Sequence, residues 1–119
     1  LKEIAARGCN VIITTDHGSI RVKEPSKIIG DKEVNPNLRY KQGKSLDYDK
    51  KDVLAITNPE EAHLPKVNVS QSFVFAKEDK FFAYPNNYNH YVKYYKDTFQ
   101  HGGISLEEML IPIIKLSPR

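Results

Sequence analysis

Two short segments of this chain carry residue types that can bind a metal. Thr14-Thr15-Asp16-His17-Gly18 closes an apolar run, and Gln100-His101-Gly102-Gly103 follows roughly 80 residues later. Asp16 offers carboxylate oxygens, while His17 and His101 offer imidazole nitrogens. That donor set suits zinc, manganese or iron better than calcium, which takes oxygen ligands. Neighbouring side chains within a strand point to opposite faces, so Asp16 and His17 can share one ion only where the backbone turns. Gly18 gives the chain that freedom. On residue types alone, Asp16, His17 and His101 make a three-ligand open site on a single ion. The plainer alternative is that Asp16 caps a turn and both histidines are exposed loop residues.

These segments need a frame, and the sequence on either side of them describes one. Residues 1–7 read as a helix stopped by Gly8, which tolerates a left-handed cap. Residues 10–15 follow with no polar alternation, as a central parallel strand covered on both faces would require. Helix, glycine and buried strand form the αβ half of an α/β unit. Ligand sites in open α/β sheets lie beyond the carboxyl ends of the strands, where Asp16 and His17 fall. Cys9, at the handover from helix to strand, reads as a small core residue. As the single cysteine it excludes an internal disulfide framework and fits a reducing compartment.

Residues 19–42, with Pro25, Gly30 and Pro36, read as an excursion over the surface folding into a hairpin. Its strand-like pieces are residues 20–23 and 38–41. Residues 53–57 form another apolar strand, and Asn58-Pro59-Glu60-Glu61 starts a short helix that Pro65 ends. Residues 72–76 and 80–84 flank Lys77-Glu78-Asp79 as an antiparallel hairpin. Residues 87–96 are helical, with Tyr88, Tyr91, Val92 and Tyr95 on one packing face. Ser105-Leu106-Glu107-Glu108 has the capping-box form. Pro112 then breaks that helix, and residues 110–116 read as a closing strand.

Composition adds bounds. With 39% hydrophobic and 28% charged residues, the chain is an ordinary globular domain. No apolar run is long enough to span a bilayer, so membrane insertion is not expected; the reducing compartment that the single cysteine fits points to a cytoplasmic location. A net charge of +3 permits a phosphate-bearing partner without requiring one. Arg39, Lys41 and Lys44, around Tyr40, form a basic patch that could hold a substrate phosphate or stack a base; a solvated loop is the simpler reading. His63 and His90 read as surface histidines and not as ligands.

Thr15-Asp16-His17-Gly18 and the run from His101-Gly102-Gly103 through Ser105-Leu106-Glu107-Glu108-Met109 to Pro112 together resemble a PglZ-type domain of the alkaline phosphatase superfamily. Within it they are similar to the PglZ-domain response regulators of the Bacteroidetes (the PorX group). The resemblance implies an α/β fold: the C-terminal part of an alkaline-phosphatase-like domain, its mostly parallel central sheet flanked by helices, plus the antiparallel hairpin. It implies that residues 1–119 are the C-terminal portion of that domain. A receiver domain and the rest of the catalytic domain, with a Thr or Ser nucleophile, would then lie upstream.

The resemblance further implies two divalent metal ions, zinc being the expected metal. Asp16 and His17 would bind the ion that also contacts the nucleophile, and His101 would bind the second. The implied activity is hydrolysis of phosphate mono- or diesters, with a nucleotide or oligonucleotide among the candidate substrates. The implied regulator is a sensor histidine kinase acting through the receiver, with a link to type IX secretion. Residues 1–119 alone are expected to be inactive. Two readings compete with this one: a signalling module that keeps the fold as a docking surface, and a nucleic-acid-binding domain working through residues 39–44.

Overall fold

The computed structural model describes residues 1–30 and 35–118, so the tip of the expected hairpin in residues 19–42 lies outside the described residues. The chain opens with helix α1 (Lys2–Ala6), then β1 (Val11–Ile13), β2 (Ile20–Arg21) and β3 (Glu24–Ile29). Next come β4 (Tyr40–Gly43), β5 (Asp47–Tyr48), β6 (Val53–Ile56), β7 (Ser72–Ala76) and β8 (Lys80–Ala83). Helix α2 (Tyr88–Tyr95), β9 (Phe99–Gln100), helix α3 (Leu106–Met109) and β10 (Ile114–Leu116) complete it.

The centre of the molecule is built from two small sheets, in the orders β5-β3-β8 and β4-β7-β6. Ile28, Val53, Val74, Ala76 and Phe82 form the buried cluster between them, with Leu46, Tyr48 and Tyr84 packed against it. Residues 73–76 of β7 and 81–83 of β8 are buried without alternation. Continuous burial of this kind marks strands covered on both faces. The expected β7–β8 hairpin does not form. Glu78 takes a left-handed φ of 48° in the connecting turn. Beyond it, β8 pairs in parallel with β3 while β7 sits antiparallel between β4 and β6. Leu38 and Arg39 link the two sheets, their carbonyls accepting from Phe82 N at 2.8 Å and Ala76 N at 2.8 Å.

Strand β3 corrects the reading of residues 19–42 as a surface excursion. It is the longest strand described, and it carries Pro25 near its start, outside the Ile28–Ile29 stretch that pairs with β5. The expected parallel central sheet flanked by helices is corrected as well. Among the described residues, β3–β8 is the one parallel pairing, and the remaining pairs are antiparallel. β1 pairs antiparallel with β10, Val11 opposite Leu116 and Ile13 opposite Ile114. In that two-stranded ribbon Ile12 is 68% exposed, and Cys9 is exposed and not in the core.

The remaining elements follow their local signals. Asn58 precedes a single 3-10 turn, Pro59–Ala62, with proline at its first position. In α2, Tyr88, Val92 and Tyr95 are half-buried and Tyr91 is exposed, so the tyrosine face is only partly covered. The Cα radius of gyration is 18.7 Å, against about 13.5 Å for a compact chain of this length. The described chain is therefore more extended than a compact domain of its length. No helix among the described residues is long and apolar enough to cross a membrane.

Candidate metal site

β1 delivers the first motif. At its exit, Thr14 Oγ1 donates to Pro112 O at 2.9 Å, fixing the turn against the segment that enters β10. Thr15 Oγ1 donates to His17 O at 3.0 Å and lies 3.4 Å from Asp16 Oδ1. Gly18 then comes so close to α3 that a Cβ there would overlap the Glu107 carbonyl, and its N–H donates to Glu108 O at 2.9 Å. The β2–β9 pairing delivers the second motif. Ile20 lies opposite Gln100, so the antiparallel register carried one residue further brings His101 alongside Ser19 and the end of the first motif.

The two histidines meet there. Their rings are stacked, with centroids 3.9 Å apart and planes 9° from parallel. His17 Nδ1 lies 2.8 Å from Gly18 O. A ring N–H given to a carbonyl in this way leaves the other nitrogen, Nε2, as the acceptor or ligand. That Nε2 is 3.7 Å from Asp16 Oδ1. The Asp16 carboxylate is 88% exposed. A hydrogen bond from its own backbone N–H and the neighbouring His17 hold it below the ordinary carboxylate value. The structure therefore brings Asp16, His17 and His101 together. Among the described residues, no three His, Cys, Asp or Glu side chains close around one point to hold an ion.

Arg39 and Lys41 are buried, so the solvent-facing patch expected of residues 39–44 is corrected. Alternate residues of a strand share a face, and here that face points inward: Arg39 is 0% and Lys41 1% exposed. The Arg39 guanidinium forks onto Glu108, Nε to Oε1 at 2.9 Å and Nη2 to Oε2 at 3.0 Å, and its Nη1 donates to Lys80 O. Lys41 Nζ donates to Asn35 O at 2.7 Å and sits over the Tyr84 ring, 4.9 Å from its centroid. Burial lowers the Lys41 ammonium to about 8. Lys44 stays exposed beyond the end of β4. His63 and His90 are exposed, His90 packing against Tyr91 and Tyr94.

Glu108 is the residue that sequence reasoning passed over, taking it only as a helix cap. Its reach-back half of the box does form, Oε2 accepting from Ser105 N at 3.2 Å, while Ser105 Oγ has no partner among the described residues. Oε1 also accepts from Gly103 N at 2.9 Å, and Asn37 Nδ2 donates to His101 O at 3.2 Å. Burial is the largest single influence on the Glu108 carboxylate and works against it, yet the hydrogen bonds and charge of Arg39 together with the hydrogen bonds from Ser105 and Gly103 outweigh it, and the carboxyl lies below its ordinary value. The signal available in the sequence was an acid five residues after a Gly-Gly turn that is too tight for side chains.

With the geometry in place, the comparisons with known proteins narrow the field. No curated protein matches the chain. The family model described as "BREX system PglZ alkaline phosphatase-like domain" matches residues 1–116. The His17–His101 turns and the elements that position them thus lie inside a PglZ alkaline phosphatase-like domain, the family to which this chain belongs.

Proposed function

We propose that this chain supplies part of the ligand set of a two-metal phosphoric ester hydrolase. Asp16 and His17 serve one ion and His101 serves the other. The observation that carries this reading is the His17–His101 stack. An imidazole binds a metal through a lone pair in its ring plane. Two rings 9° from parallel have lone pairs that do not converge on one point. This argues against a single ion shared by both histidines. The 3.9 Å between the rings is instead of the order of the roughly 3.5–4 Å between ions in two-metal sites.

Asp16 and His17 fit a shared ion. Two ligands about 2.1 Å from a tetrahedral zinc stand about 3.4 Å apart, near the 3.7 Å between Asp16 Oδ1 and His17 Nε2. The carbonyl of Gly18 orients the His17 ring, and Asp16 stays ionised at neutral pH. Divalent ions bound here would polarise phosphoryl oxygens and activate a hydroxyl or water nucleophile. The chain's own residues fix the tautomer of one imidazole, hold the second against it and supply the negative charge. The finer identity belongs to the same proposal: zinc as the metal, a phosphodiester, nucleotide or oligonucleotide as substrate, and a cytoplasmic response regulator whose receiver answers a sensor kinase and bears on type IX secretion.

The test is hydrolysis of bis(4-nitrophenyl) phosphate by the full-length protein, with Asp16→Ala and His101→Ala as variants. Loss of turnover in both, by about 10²-fold or more, is the expected outcome. Wild-type rates in both variants would remove these residues from the site. A full-length protein that binds no metal and turns nothing over would instead favour the docking module.

A further inference from the structure

We propose that Glu108, braced by Arg39, is the positioning residue that sets His101 against His17, and that its side chain acts on the His101 turn alone. The metal consequence rests on the proposed function above, whereas the contact that produces it does not. All four strong acceptor directions of the carboxylate are used. Oε1 takes Arg39 Nε and Gly103 N, both at 2.9 Å, and Oε2 takes Arg39 Nη2 at 3.0 Å and Ser105 N at 3.2 Å. A cap for the four-residue α3 needs far less than this. An exposed glutamine would serve, and burying a whole ion pair costs more than a cap returns. What the burial achieves is location: Gly103 lies two residues after His101, and a Cβ on it would stand 2.6 Å from Glu108 Oε2.

One residue holds both turns, by different groups. The carboxylate of Glu108 holds Gly103, while its main-chain carbonyl holds Gly18, next to His17. Asn37 adds a second tie on the same side, its Nδ2 donating to His101 O at 3.2 Å and its Oδ1 accepting from Arg39 N at 2.7 Å. Changing the Glu108 side chain therefore releases the His101 turn and leaves the bond to the His17 turn intact. A residue that merely supported the fold would loosen both.

Glu108→Gln, close in shape but unable to complete the charged fork, and Arg39→Lys, which keeps the charge without the fork, make the test in the full-length protein. Three quantities are read: amide hydrogen exchange at Gly103 and Gly18, the His101 and His17 ring resonances, and zinc titration. Exchange at Gly103 should rise at least ~10-fold with Gly18 unchanged, and the His101 ring should move away from its stacked environment. The zinc-binding event abolished by His101→Ala should weaken by about 10–100-fold while the other holds. Equal loosening of Gly103 and Gly18, no change at either, or failure of both variants to fold would overturn the proposal. A wild type that takes up no zinc would overturn the metal reading, and the exchange and ring measurements would still decide this one.

Discussion

Phe82 and Ile12 are both apolar residues of short strands, yet Phe82 is 1% exposed and Ile12 is 68% exposed. The difference holds across the regions they belong to. Residues 22–84 carry the buried cluster of Ile28, Val53, Val74, Ala76 and Phe82. The β1–β10 ribbon keeps Ile12, Ile13, Ile113 and Ile114 in solvent. The central region is held by removal of apolar surface from water. The two ends, which carry the candidate site, are held to it by directed polar contacts, the Arg39–Glu108 fork and Asn37 to His101 O, and to each other by Gly18 N to Glu108 O. The proposed ligands sit where the polar ties are, beside the buried core.

The largest effect should come from the core. Phe82→Ala is expected to cost about 4 kcal/mol in chemical denaturation, while the His17–His101 ring contact persists in the molecules that stay folded. Next, Arg39→Met leaves the Glu108 carboxylate buried without its cation. It should cost about 3 kcal/mol and, unlike Phe82→Ala, disturb the His101 ring resonances. Comparable disturbance of those resonances by both variants would erase the distinction between the two regions.

A pH series probes Lys41, a buried cation with no carboxylate partner among the described residues. Burial takes Lys41 from its ordinary 10.5 down to about 8 in the folded protein. Between those values the unfolded chain binds the extra proton, so unfolding free energy should climb as pH rises from about 8 to about 10.5. Below about 8 the penalty is present in full. Lys41→Met should flatten that rise, and an unchanged slope would show that Lys41 is solvated. The smallest effect belongs to β1: Ile12→Thr, which keeps the β-branch at an exposed position, should change stability by less than about 0.5 kcal/mol. A loss comparable to that of Phe82→Ala would mean that β1 is covered.

Local chemistry was legible in the sequence, and pairing was not. Val53–Ile56, Ser72–Ala76 and Lys80–Ala83 stand where their apolar runs put them, and α2 begins after Asn87 as its spacing required. Which strand pairs with which depends on contacts distant in the chain. The apolar run of β1 did not disclose β10 as its partner, and the turn at Glu78 did not disclose that β8 would join β3. β3 was hidden because Pro25, Glu24 and Lys27 dilute its pattern. Asp16, His17 and His101 could be singled out from residue type and glycine turns, and the structure brings these three side chains together. Arg39 looked like a surface cation because a run of basic residues, read without its period of two, conceals that alternate members face inward. Glu108 looked like a cap because the fork that buries it comes from Arg39, 69 residues away in the chain.

Metal stoichiometry decides the central claim, that His17 and His101 serve different ions. Elemental analysis of the full-length protein should find two divalent ions per chain, one after His101→Ala and one after His17→Ala. A single ion in the wild type that either substitution removes would contradict it, as would two ions retained by both variants.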